Sequence, residues 1–219
     1  MISHDRKFIF THIPKTAGTS LTARLRDHGI VLGGERNARS IYFRHATLQF
    51  IADSLGDEFA NYFSFGVLRN PWDWCVSNYL FNRGMHKPYR VGTIYDVDDY
   101  TKGKGWNVPA EIMAMKFSAW LPWWLQTMRP RMLGMLMSRD GKILADEIFQ
   151  LEQIEAAHDR ICERLGLETA APVPFVNRTR SRGAAGYGQY YTDETRELVR
   201  SYFADTIALK GYRFEDGVA

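Results

Sequence analysis

The sequence predicts an α/β protein with a central, mainly parallel sheet flanked by helices. Phe8 to Thr11 is a short apolar run that leads through a turn rich in hydroxyls into a helix, and Phe63 to Leu68 is a second such run that passes at Pro71 into another. Strands that each exit into a helix are joined most simply by parallel crossovers, which gives a layered α/β arrangement. Ligands then gather at the carboxyl ends of the strands, where Lys15 and Arg69 fall.

Taken in order, the first strand is followed by the Lys15 turn and a helix from about Thr19 to Asp27, with Leu21 and Leu25 at helical spacing. Thr47 is placed to cap a second helix whose Leu48, Ile51, Ala52 and Leu55 share one face. Pro71 suits the first turn of the helix that runs through Trp74, Ser77 and Tyr79 to about Arg83, before Gly84. Residues 85–107 have little periodicity and read as a long surface loop or lid. An aromatic helical region follows at 109–128, with Trp120, Trp123 and Trp124 expected mainly in the core. Leu133 to Met137 and Lys142 to Leu144 flank an Arg-Asp-Gly-Lys turn and suggest a hairpin. Gln153 to Leu165 is amphipathic, Ala170 to Tyr191 is a loop rich in Pro, Gly and Arg, and Thr192 caps a final helix carrying Leu198, Val199 and Tyr202.

With 219 residues, 45% of them hydrophobic, the chain suffices for one complete core and is short for two, so a single domain over 1–219 is expected. A formal charge of +3 is too weak for a nucleic-acid coat but suits a local site for a small polyanion. Cys75 and Cys162 stand far apart without CxxC or His-rich neighbours, which suggests neither a disulfide framework nor a zinc site. The first residues lead directly into a strand, with no apolar run of membrane-spanning length, so a soluble cytoplasmic enzyme is expected.

The turn after the first strand, Ile13-Pro14-Lys15-Thr16-Ala17-Gly18-Thr19-Ser20, gathers a cation, a glycine and three hydroxyls at a helix start. Unpaired N–H groups there point outward, Gly18 allows close backbone approach, and Lys15 adds a full charge, so the turn is suited to a phosphate or sulfate group. It is not a Walker A loop, because Lys15 precedes Gly18 instead of following it. A solvated turn lysine is the simpler alternative for Lys15, as a structural ion pair is for Arg69 and a packing serine for Ser77.

The order of this turn resembles the 5′-phosphosulfate loop of sulfotransferases, especially the carbohydrate (polysaccharide-type) O-sulfotransferases. Phe65-Gly66-Val67-Leu68-Arg69-Asn70-Pro71-Trp72-Asp73-Trp74-Cys75-Val76-Ser77 is similar to that family's 3′-phosphate motif, with Arg69 and Ser77 in the gripping positions. The family commonly has Arg where this chain has Trp74, so one supporting charge is missing. The segments Pro174 to Gly183, Tyr190 to Glu194 and Gly211 to Phe214 are also family-like, which extends the resemblance over most of the chain.

The resemblance implies a P-loop-like three-layer fold and 3′-phosphoadenosine 5′-phosphosulfate (PAPS) as sulfuryl donor, with no metal. It implies transfer to an acceptor hydroxyl on a carbohydrate, with no nucleic-acid partner. Lys15, Thr16, Ala17, Gly18, Thr19 and Ser20 would hold the 5′ end, with Lys15 also catalytic. Arg69 and Ser77, joined by Arg182 and Gly183 from a late Arg-Gly segment, would hold the 3′-phosphate. His45, in Arg44-His45-Ala46-Thr47, corresponds to the catalytic base, and its ordinary pKa near 6.5 would let a neutral imidazole take the acceptor's proton. The alternative is that His45 only caps or orients the helix. His12 reads as an inward, structural histidine, and His4, His28, His86 and His158 have no constellation in the sequence. An atypical nucleotide kinase or NTPase would need Mg²⁺ ligands near the phosphates, and no Walker-B-like strand ending in Asp supplies them. A non-catalytic nucleotide-binding module would keep the Lys15 and Arg69 sites without depending on His45.

Overall fold

The computed structural model describes residues 1–30, 32, 40–83, 90–92, 105–107, 110–168 and 186–214. Its strands are β1 (Ile2–Ser3), β2 (Phe8–Thr11), β3 (Phe63–Leu68), β4 (Arg90–Gly92), β5 (Gly105–Asn107) and β6 (Glu147–Gln150). The helices are α1 (Gly18–Asp27), α2 (Leu48–Leu55), α3 (Pro71–Arg83), α4 (Ala110–Ala114), α5 (Phe117–Met128), α6 (Ile154–Leu165), α7 (Asp193–Tyr202) and α8 (Ala204–Lys210). The chain divides into two compact units, Met1–Leu68 with Met132–Arg178, and Arg69–Arg131 with Thr179–Ala219.

The first unit is built on a four-stranded sheet ordered β1-β2-β3-β6 among the described residues. β2 pairs parallel with β3, Phe10 opposite Phe65, and β3 pairs parallel with β6, Val67 opposite Phe149. β1 is antiparallel to β2. The mainly parallel α/β sheet expected from the sequence is therefore present. Alternation along the strands sends Phe8, Phe10, Phe65 and Val67 to one face. There they meet Leu21 and Leu25 of α1 and Ile154, Ala157 and Ile161 of α6 in one buried cluster. The rings of Phe10 and Phe65 stack with centroids 5.1 Å apart. Gly66 points to the opposite face, where a Cβ would lie 2.5 Å from the Leu136 side chain, so the glycine lets Leu136 pack directly on the strand.

β6 was not foreseen. Its Glu147-Ile148-Phe149-Gln150 is half-buried at every position, without the continuous apolar run of β2 and β3. The residue before it sets its place: the Asp146 carboxylate accepts from Ser64 N at 2.7 Å and from Ser64 Oγ at 2.8 Å. The hairpin expected around 138–141 shrinks to one bridge, Met137 to Ile143, because Leu133–Leu136 coils into a 3₁₀ turn. Thr47 caps α2 as expected, accepting from Phe50 N at 3.2 Å.

The second unit packs around aromatic rings. Trp74 of α3 lies 5.4 Å from Trp124 of α5, which stacks on Trp120 at 4.9 Å. Trp120 and Trp124 are buried, as the core reading anticipates, while Trp123 is half-buried. Thr192 caps α7 in a capping box with Thr195. The stretch read as a loop at 85–107 contains the antiparallel pair β4 and β5, with Val91 opposite Trp106; residues 84–89 and 93–104 lie outside the described ones. Within the described residues no helix is long and apolar enough to cross a membrane.

Candidate active site

In the first unit the chain leaves β2 through His12, Ile13 and Pro14 and turns into α1 with two non-glycine residues in the left-handed region, Lys15 (φ 65°) and Ala17 (φ 58°). Each such residue costs about 1–2 kcal/mol, and strain of this kind persists where the surroundings over-determine the loop. Thr16 contributes to that, its buried Oγ1 donating to the Ile13 carbonyl at 2.9 Å. Thr22 Oγ1 likewise donates to the Gly18 carbonyl at 2.6 Å.

Ala17 is the N-cap of α1, so no side-chain cap bond is made, and the first turn holds no acidic residue. The leading N–H groups of this ten-residue helix carry its positive dipole end, with no acidic residue in the first turn and no side-chain bond from the N-cap. Thr19 is exposed at this end, while Gly18 and Ser20 are buried and Lys15 and Ala17 are half-buried. Lys15, Thr16, Ala17, Gly18, Thr19 and Ser20 are therefore brought together as one turn.

Gly18 has a role the sequence did not reveal. A Cβ at this position would come within 1.9 Å of His12 Cδ2, so the glycine makes room for the His12 ring. That ring is buried and lies 4.9 Å from the His45 ring, centroid to centroid. The Nδ1 of His45 is 2.7 Å from the His12 carbonyl oxygen. A carbonyl only accepts, so Nδ1 carries the hydrogen, and in the neutral ring the lone pair is left on Nε2. His45 does not cap α2; Thr47 does.

Burial pushes the His45 pKa down to about 4, helped by the Arg44 charge and opposed by the bond to His12. His12 is held well below the ordinary histidine value, first by burial and then by the neighbouring His45 and Arg44. Both rings are thus neutral at pH 7. His12 Nδ1 and Thr11 Oγ1 are buried with no hydrogen-bond partner among the described residues.

In the second unit Arg69 follows directly on the last residue of β3. Asn70 starts α3, its Oδ1 accepting from Trp72 N at 3.1 Å and its Nδ2 donating to the Arg213 carbonyl at 2.8 Å. Arg69 Nε donates to Asp73 Oδ2 at 2.7 Å, and Nη2 lies 2.5 Å from the same oxygen. Asp73 was missed in the sequence, although the i, i+4 spacing from Arg69 was there to read. Ser77 is buried further along α3, its Oγ without a hydrogen-bond partner among the described residues.

Trp74 is fully buried and packs on Trp124 and Phe203, so the position where the family commonly has Arg serves the hydrophobic core here. Arg182 and Gly183, with Arg178 and Arg180, lie outside the described residues.

A mainly parallel α/β sheet whose strand runs through a strained, cation-bearing turn into a helix without a side-chain cap sets a neutral imidazole beside that turn. The sequence profile of the sulfotransferase family matches residues 1–210, and the chain belongs to that family. No curated protein and no solved structure matches it.

Proposed function

We propose that this chain, acting as one domain over residues 1–219, transfers a sulfuryl group from PAPS to a hydroxyl of a carbohydrate acceptor in the cytoplasm. Family membership supports sulfuryl transfer, and sulfotransferases generally use PAPS. The observation that carries the reading is the bond from His45 Nδ1 to the His12 carbonyl, which roots a neutral base at the start of the Lys15 turn. A P-loop-like three-layer arrangement is supported by α1 and α6 on one sheet face and Leu136 against Gly66 on the other.

The chain's residues fit such a donor. The start of α1, with no acidic residue in its first turn and no side-chain cap from Ala17, suits the 5′ anion, and the buried Ser77 hydroxyl suits a phosphate oxygen as acceptor of its hydrogen. When bound, the donor supplies the sulfuryl group and a phosphate leaving group. Lys15 and the N–H groups of Gly18, Thr19 and Ser20 stabilise the charge that grows on the leaving oxygen. His45 Nε2 takes the acceptor's proton, and the His12 carbonyl steadies the Nδ1–H side as the ring becomes charged.

Arg69 is oriented by Asp73 and, with Ser77, Arg182 and Gly183, reads the 3′-phosphate. The fixed guanidinium fork is pre-organised for that anion. No residue is assigned to a metal in this chemistry.

The test is thermal stabilisation by 3′-phosphoadenosine 5′-phosphate against ADP and AMP. A ligand at 100 times its Kd adds about 2.7 kcal/mol, and only the 3′-phosphorylated nucleotide is expected to do so. Equal responses to all three would remove the 3′-phosphate assignment.

A further inference from the structure

Away from the Lys15 turn, His28 converges within the first unit on a pair of ligand-type side chains from a distant part of the sequence, His158 and Cys162. Cys162 Sγ lies 3.4 Å from His158 Nε2 and 3.9 Å from His28 Nε2. One donor atom from each residue falls within 4.8 Å of the others. We propose that His28, His158 and Cys162 form a zinc site that clasps the C-terminal end of α1 to α6.

The distances suit the ion. With Zn–S near 2.3 Å and Zn–N near 2.0–2.1 Å at tetrahedral angles, a bound sulfur and nitrogen stand about 3.6 Å apart. The two observed sulfur to nitrogen separations bracket that value, and the two imidazole nitrogens, within 4.8 Å of each other, draw in to the about 3.3 Å of a tetrahedral site by rotation of the half-buried His28 side chain. One thiolate with two imidazoles is a borderline-soft donor set of the kind zinc takes.

The ligands stand on fixed ground. His158 and Cys162 are one turn apart on α6 and so project from the same face. His28 is held by the turn that ends α1: its N–H donates to the Leu25 carbonyl at 3.2 Å. Gly29, at φ 72°, donates to Arg26 O at 2.8 Å, and Ile30 N returns to Leu25 O at 3.1 Å. α1 and α6 already share the core cluster through Leu21, Leu25, Ile154 and Ile161. The carboxyl end of a helix also carries partial negative charge, which favours a cation there.

The surrounding charges are compatible with an ion. His158 Nδ1 is 3.9 Å from Asp159 Oδ1, on the side where an outer carboxylate steadies a ligating imidazole. Glu155 acts on His158 in the same sense as Asp159. Arg24 opposes both, but its guanidinium is paired with Asp27 at 2.8 Å. Burial keeps the Cys162 thiol protonated in the metal-free chain. Binding forms the Zn–S bond, breaks S–H and releases that proton to solvent, with no change of oxidation state. His28 is half-buried while His158 and Cys162 are buried, so the ion enters from the His28 side, where a water fills the fourth position.

The site is independent of the sulfuryl-transfer reading and is tested without activity. Chelator-treated full-length protein is titrated with Co²⁺, then with Zn²⁺. A thiolate-to-cobalt charge-transfer band should saturate at one equivalent and disappear as zinc displaces cobalt, and zinc should raise the melting temperature. Cys162→Ser should abolish the band. His28→Asn, at a half-buried position that does not open the core, should weaken cobalt binding by more than about tenfold with the far-UV CD unchanged. Absence of the band with cobalt in excess, its persistence in Cys162→Ser, or unchanged affinity in His28→Asn would each overturn the site. The His28→Asn result decides if Cys162→Ser fails to fold.

Discussion

His45 is tied through Nδ1 to the main-chain carbonyl of His12, a residue 33 positions away that lies at the root of the Lys15 turn. One bond thereby sets the tautomer of the proposed base and its position relative to the loop. Because burial holds the His45 pKa at about 4, the ring stays neutral well below the pH at which a free histidine charges.

The rate should follow. The acidic limb of kcat/KM is expected near pH 4–5, not near 6.5, and His45→Ala should lose roughly 10²–10⁴-fold in kcat while keeping 3′-phosphoadenosine 5′-phosphate binding. Stability carries the same signature. Between the folded pKa of about 4 and the unfolded value near 6.5, only the unfolded chain binds the proton, so stability falls as pH falls through this window. Denaturation midpoints from pH 7 to pH 4 should show a shallower decline in His45→Ala than in the parent chain. An acidic limb at 6.5 in the parent would count against the buried, neutral base.

Gly18 and His12 are coupled by contact. A methyl at Gly18 would overlap the buried His12 ring at 1.9 Å, so Gly18→Ala should destabilise by about 1–3 kcal/mol, the range for overpacking. Removing the ring should relieve the clash: Gly18→Ala in a His12→Ala background is expected to be nearly neutral. A urea double-mutant cycle measures the coupling, and additive effects would show that the two side chains do not share the space.

How much of this was legible depended on the range of the interactions that fix each part. β2 and β3 could be read because both are buried along nearly their whole length and appear as continuous apolar runs. α2 and α7 could be read because Thr47 and Thr192 cap them locally. β6 could not, since its four half-buried residues carry no strong pattern and its docking depends on a contact 82 residues away. The Lys15 turn showed its chemistry through residue types in a short stretch. The His12 ring against Gly18 arises only from the way the turn folds back over six residues, and the tautomer of His45 only when segments 33 residues apart are brought together. His28 stands 134 residues from Cys162, which is why no spacing rule pointed to that cluster.

The pin that docks β6 is open to direct measurement. Asp146 accepts both the N–H and the hydroxyl of the buried Ser64. Asp146→Ala leaves two donors without that acceptor and should cost about 1–3 kcal/mol, read as a lower urea midpoint. Faster hydrogen exchange should be confined to the β3–β6 pairing. Asp146→Asn keeps an acceptor oxygen and should lose less. Equal losses for both would mean that the carboxylate charge, not the hydrogen bonds, holds the strand.

Ser77 separates a ligand contact from a packing residue. Its buried hydroxyl has no hydrogen-bond partner among the described residues, and a buried polar group left in that condition costs about 1–3 kcal/mol. Ser77→Ala removes that penalty, so without ligand the variant should melt at the same temperature as the parent or higher. A nucleotide that accepts from the hydroxyl reverses the order, because the parent regains the bond and the variant cannot. Stabilisation by 3′-phosphoadenosine 5′-phosphate should fall in Ser77→Ala while the small response to AMP is unchanged. Arg69→Lys should show the same selective loss, since a lysine keeps charge but not the guanidinium fork that Asp73 holds at 2.7 Å. A serine that only packs would give the opposite result: a lower melting temperature in the free variant, and an unaltered response to the 3′-phosphorylated nucleotide.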